Sequence, residues 1–208
     1  MKEFSAISGD VSVILLTIAL IIAIIKFKHF TKNEKWYSYY IIFIFLIEIN
    51  SYIVLPLLKI QSNSFLYPIY VAGEFFTVTS IFIKKLNLGK NAFILTGLLS
   101  LFFLIGDRIL VQFQYNNDYS KAVSNIIIIS LIGYSLIQDI KNVRAKNSFQ
   151  IIDKVFFLYF IVSIFIFMLQ HQLVELPLEY FSAVWVINNL MICIVYALFI
   201  KTFLQLKK

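Results

Sequence analysis

Glu48, Glu74, Asp107, Arg108, Gln170, His171, Asn188 and Asn189 interrupt stretches that are otherwise almost wholly apolar. Carboxylates and an imidazole exchange protons or hold cations, and side-chain amides fix polar ligands through hydrogen bonds. An ionisable group near the centre of a bilayer costs at least about 2.5–3.5 kcal/mol, so it persists where it faces a cavity or a partner. Asp107 and His171 are therefore candidate catalytic groups, and the whole set is a candidate ligand- or ion-binding cavity. Plainer roles stand beside these. Arg108 can pair with Glu48 or Glu74, or snorkel outward, and buried amides and tyrosines can join helices by hydrogen bonds worth about 0.6 kcal/mol each. A metal site is not expected, because zinc needs three or four ligands and the second histidine, His29, sits in a loop. No motif calls for a cofactor.

Helical spacing groups these residues with polar neighbours. Tyr67, Tyr70, Glu74 and Thr77 fall on one stripe, as do Thr96, Ser100 and Asp107, and again Tyr159, Ser163 and Gln170. Lipid offers such stripes nothing, so they are expected to turn inward. The pattern predicts a polar cavity opening toward the outside, with Glu48 and Glu74 at its floor.

The elements that would hold this cavity follow from composition. Of 208 residues, 61% are hydrophobic and 14% charged, against about 45–50% and roughly 25% in soluble domains. A chain this short has no core large enough to hide the surplus, so it must face lipid. Seven segments are long and apolar enough to span: Val11 to Phe27, Trp36 to Leu58, Leu66 to Ile83, Ala92 to Phe113, Ala122 to Gln138, Val155 to Val174 and Tyr180 to Leu204. Runs such as Ile126 to Ile129 lack the alternation of a β-barrel. The expected fold is all-α, a polytopic seven-helix bundle forming a single transmembrane domain over residues 1–208. In the first segment most of the positive charge follows the apolar core and no cleavage-like site appears, so it is expected to remain as a helix.

Orientation follows from the basic residues. Lys26, Lys28, Lys32, Lys35, Lys84, Lys85, Lys90, Lys141, Arg144, Lys146, Lys154, Lys201, Lys207 and Lys208 all fall on one side, fourteen in number, against Lys2, Lys59 and Lys121 on the other. Positive-inside bias places the N-terminus outside and the C-terminus in the cytoplasm of a cell (inner) membrane protein. The net charge of +7 thus marks orientation, not nucleic-acid binding; the basic cytoplasmic loops would meet anionic membrane lipid or a protein partner. Cys193, alone of its kind, precludes an internal disulfide.

Leu101-Phe102-Phe103-Leu104-Ile105-Gly106-Asp107 resembles the apolar-Gly-Asp signature of the lysoplasmalogenase family of membrane enzymes. That resemblance implies a lipid hydrolase with Asp107 catalytic; for such an enzyme the residues of this chain offer Glu74 or His171 as acid/base partner. The family's second intramembrane aspartate has no counterpart, since Asp139 and Asp153 fall near the cytoplasmic face. Asn63-Ser64-Phe65-Leu66-Tyr67 with Glu74-Phe75-Phe76, and Trp185-Val186-Ile187-Asn188-Asn189, resemble small seven-helix membrane proteins of Bacteroidota type, which implies no established activity. The leading expectation is a non-enzymatic sensor or receptor-like module that binds a small or lipidic ligand from outside. The alternatives are the lipid hydrolase, a small-solute or proton transporter, and a pore-forming accessory protein of a signalling or defence system.

Overall fold

The computed structural model of the chain describes residues 2–54, 57, 59, 65–110, 117–141, 148–168 and 177–206. Among the described residues the protein is all-helical, with seven α-helices and no strand. They are α1 (Lys2–Lys26), α2 (Lys35–Ile49), α3 (Leu66–Lys85), α4 (Lys90–Ile109), α5 (Asn117–Lys141), α6 (Gln150–Met168) and α7 (Leu178–Gln205). Six of the described helices are long and apolar enough to cross a membrane, and α4 has a shorter apolar stretch, Lys90–Gly106. Their outward faces carry Ile14, Ile24, Ile25, Ile94, Leu98, Leu101, Ile126, Phe165 and Ile194, all exposed. A surface of this kind fits hydrocarbon better than water.

The chain groups into two compact units, Phe30–Leu131 and Met1–His29 with Ile132–Lys208, so that the boundary falls inside α5. In the unit Phe30–Leu131, α3 packs against both α2 and α4, and Val78, Ile81, Phe82 and Ile83 are buried along it. Helix α2 is entered through a reciprocal cap. The Thr31 N–H donates to Glu34 Oε2 at 2.9 Å, and the Glu34 N–H donates to Thr31 Oγ1 at 3.4 Å, which satisfies two otherwise orphaned donors. At its far end α2 passes into a π-helical turn, Asn50–Val54. Pro68 sits in the first turn of α3, where its missing N–H removes no helical hydrogen bond.

A Schellman cap ends α3. Asn87, at φ 53°, takes the left-handed conformation, the Leu88 N–H donates to the Ile83 carbonyl at 3.0 Å, and the Asn87 N–H donates to the Lys84 carbonyl at 3.3 Å. Gly89 then starts α4, which folds back along α3. Phe93 stacks edge-on to Phe76 at 5.6 Å, Phe103 meets Phe75 at 5.0 Å, and Ser100 Oγ donates to the Ala72 carbonyl at 2.8 Å. Helix α4 thus follows α3 over most of its length. It ends at Ile109, closed by the Leu110 N–H on the Gly106 carbonyl at 2.9 Å, short of the Phe113 expected from hydropathy; residues 111–116 lie outside the described set.

In the other unit, α7 packs against α1 and α6. Near one end of the α1–α7 pair, Asn189 Nδ2 donates to Ser8 Oγ at 3.0 Å; at the other, Lys26 Nζ donates to the Leu206 carbonyl at 2.9 Å. Helices α1 and α7 therefore run parallel. Phe156 against Phe199 at 5.6 Å and Phe149 against Phe203 at 6.3 Å pack α6 antiparallel to α7.

Candidate functional site

The most consequential polar cluster lies in the unit Phe30–Leu131, where α3 meets the first turns of α5. Glu74 and Lys121 form a salt bridge with side chains 1% and 0% exposed. The Tyr70 hydroxyl donates to Glu74 Oε1 at 2.8 Å and accepts from Lys121 Nζ at 3.2 Å, and the same ammonium stands 4.5 Å from the Tyr70 ring centroid. One tyrosine thus serves both charges, through its hydroxyl and through its π face.

Local sequence builds this arrangement. Tyr67, Tyr70 and Glu74 are three and four residues apart, hence on one face of α3. Asp118 and Lys121, three apart, form the matching face of α5. Tyr67 donates to Asp118 Oδ1 at 3.3 Å and its ring stacks on Tyr70 at 6.4 Å, which extends the cluster by one turn. Below it, Ser124 Oγ donates to the Lys121 carbonyl at 2.8 Å. Thr77 donates to the Gly73 and Glu74 carbonyls at 2.7 and 3.2 Å, so its hydroxyl is satisfied within its own helix. Gly73 lets the ring of Phe43 on α2 lie directly against the α3 backbone beside Glu74; a β-carbon there would overlap that ring.

Two charges withdrawn from water would each be costly alone. Together with the tyrosine, the pair satisfies both carboxylate oxygens. The cluster can therefore present a carboxylate, an ammonium and a phenol within a few ångströms, in surroundings where electrostatic attraction is weakly screened.

The residues singled out in the sequence meet different fates. Glu74 is paired with Lys121, and not with Arg108, which is exposed near the end of α4. Glu48, half-buried on α2 just before the π-helical turn, has no hydrogen-bond or ion-pair partner among the described residues. Asp107 belongs to the last turn of α4, and its side chain is outside the described set; Gln170 and His171 are outside it altogether. Asn189 binds Ser8, while Asn188, 7% exposed, has no hydrogen-bond partner for its Oδ1 among the described residues. Among the described residues no group of three His, Cys, Asp or Glu side chains could hold a metal ion.

Lys121 is the residue that sequence reasoning missed. Heading an apolar run, it reads as an outer-loop cation, yet it lies within α5 and is fully buried. A signal was present. The apolar stretch from Ala122 to Gln138 is at the lower limit for a span, roughly 25 Å as a helix against a bilayer core of about 30 Å, so the helix through it is expected to extend past at least one of its ends. Asp153, expected near the cytoplasmic face, is in the first turn of α6 and is fully buried there.

Compared with known proteins, the chain matches no family model, no curated protein and no solved structure.

Proposed function

We propose that this chain is a seven-span integral membrane protein of the cell membrane, N-terminus outside, that acts as a sensor or receptor-like module for a small or lipidic ligand. Two features support the topology. Parallel α1 and α7 require an odd number of crossings from the first to the last. The six long helices alone would leave α7 antiparallel to α1, and α4, which follows α3 along most of its length, supplies the seventh. With Lys121 withdrawn into the protein, only Lys2 and Lys59 remain to set against fourteen basic residues on the opposite side, which strengthens the positive-inside bias.

The ligand reading is carried by the buried Glu74–Lys121 pair with Tyr70 between its charges. Folding alone gives little reason for it, because well-packed apolar side chains in place of a buried ion pair are often neutral or stabilising by about 1–4 kcal/mol. A pair that can be opened offers something an apolar contact does not: separated positive and negative groups between the middle of α3 and the first turns of α5. A ligand with an acidic group for Lys121 or a cationic group for Glu74 would replace one member of the pair and bias the helices that carry them. Such a ligand has to bind the opened arrangement more tightly than the closed one to shift the protein between them.

The test is retention of a component from a total membrane lipid extract by the purified full chain in phosphatidylcholine nanodiscs, read by native mass spectrometry. The wild-type protein is expected to keep a defined adduct that the Glu74→Gln/Lys121→Met variant releases. Equal retention by the two proteins would remove the pair from any binding role.

A further inference from the structure

We propose that the groove beside the α3–α4 turn is a binding site for the phosphate headgroup of an anionic phospholipid. The groove encloses about 660 Å³, and its walls include Asn33, Lys84, Asn87, Lys90, Phe93 and Ile94. It lies wholly within the unit Phe30–Leu131. It is separate from the Glu74 cluster, since Lys84 is ten residues further along α3, about 15 Å along the axis.

Three observations give the site its ligand. The first is charge. Lys84 and Lys90 are the charged side chains that line the groove, and the described lining holds no carboxylate. Both lysines are exposed, so a phosphate reaching them displaces water and breaks no ion pair. The second is rigidity. The Schellman cap holds Asn87 in its left-handed conformation and fixes where α3 ends and α4 begins, so the two ammonium groups extend from a defined turn. The third is the mixed character of the walls. Lys84 Nζ stands 5.2 Å from the centroid of the Phe93 ring. That ring packs edge-on against Trp36 at 5.4 Å, and Ile94 beside it is 62% exposed. Headgroup chemistry and acyl-chain chemistry therefore meet in one place.

Depth agrees with this occupant. The ends of helices that cross a bilayer lie at the headgroup layer, and a Trp-centred aromatic cluster is the usual companion of that layer. Trp36 also contacts Phe76 and Tyr39, at 6.0 and 5.4 Å. A soluble phosphate would use the lysines and leave Phe93 and Ile94 without a partner; a phospholipid engages both.

Trp36 is the natural reporter, because Phe93 connects it directly to the groove. Trp185 is replaced by Phe so that emission comes from Trp36 alone, and the full chain is reconstituted in phosphatidylcholine with increasing fractions of brominated phosphatidylglycerol or brominated phosphatidylcholine. Each lysine near a membrane surface contributes enough attraction for roughly a fivefold change in binding, so the two together predict a preference for phosphatidylglycerol of about 25-fold. The Lys84→Gln/Lys90→Gln variant should quench almost equally with both lipids, with unchanged thermal unfolding in pure phosphatidylcholine. Lys28→Gln/Lys201→Gln removes the same charge from residues that do not line the groove and should keep the preference. The proposal fails if the parent shows no preference, or if the second pair abolishes it as fully as the first. It fails also if millimolar glycerol phosphate eliminates the preference, since the ligand would then be a soluble phosphate.

Discussion

Replacing Lys121 by methionine is expected to destabilise the lipid-embedded protein by about 3–5 kcal/mol, and adding Glu74→Gln should restore all but about 1 kcal/mol of that loss. The single substitution leaves a buried carboxylate whose remaining partner is Tyr70, and a lone charge in such surroundings has little to offset its desolvation. The double variant has no charge to strand, and its glutamine still accepts from the Tyr70 hydroxyl. Unfolding of the four proteins of this cycle by SDS in mixed bicelles gives the coupling energy. If Lys121→Met cost under about 1 kcal/mol, as exposed ion pairs do, the two side chains would have to be solvated rather than buried.

Gly73→Ala should reverse its sign with the residue at position 43. In the wild-type background the added methyl overlaps the Phe43 ring, and overpacking of this kind costs about 1–3 kcal/mol. Against this stands the helix propensity gained on leaving glycine, about 0.5–1 kcal/mol. The ring is half-buried and can move at its far end, which limits the net loss to about 1–2 kcal/mol. With Phe43→Ala already present the clash is gone, and Gly73→Ala becomes stabilising by about 0.5–1 kcal/mol. The same denaturation assay reads both signs. Two losses of equal size would mean that the glycine is needed for a reason other than the close approach of α2 to α3.

These two effects bear on different levels of what the amino-acid sequence reveals. Hydropathy finds where a chain can lie in lipid, and among the described residues each of the seven apolar segments overlaps a helix. It does not find helix ends. Helix α1 begins at Lys2, well before the apolar run that starts at Val11, because a helix continues past hydrocarbon wherever its backbone bonds remain satisfied. The π-helical turn after Ile49 was invisible as well, since an extra residue per turn leaves no mark on an apolar average.

The candidate site was half legible. Tyr67, Tyr70, Glu74 and Thr77 fell on one stripe by spacing alone, and the structure joins the first three to α5. Their partner was hidden because one lysine at the head of an apolar run reads equally as a loop residue or as the last buried cation. Only tertiary packing decides between the two. Arg108 shows the converse: within an expected span it can pair with Glu48 or Glu74 or snorkel outward, and only the structure shows that α4 ends one residue later and leaves it exposed.

Amine labelling of the native full chain in phosphatidylcholine nanodiscs, followed by peptide mass spectrometry, asks whether Lys121 is sealed inside the protein with Glu74. Lys84 and Lys90, exposed at the ends of their helices, should be modified completely while Lys121 stays intact. Modification of Lys121 at the rate of Lys90 would mean that the ion pair is open to water, and the ligand site built on it would be lost.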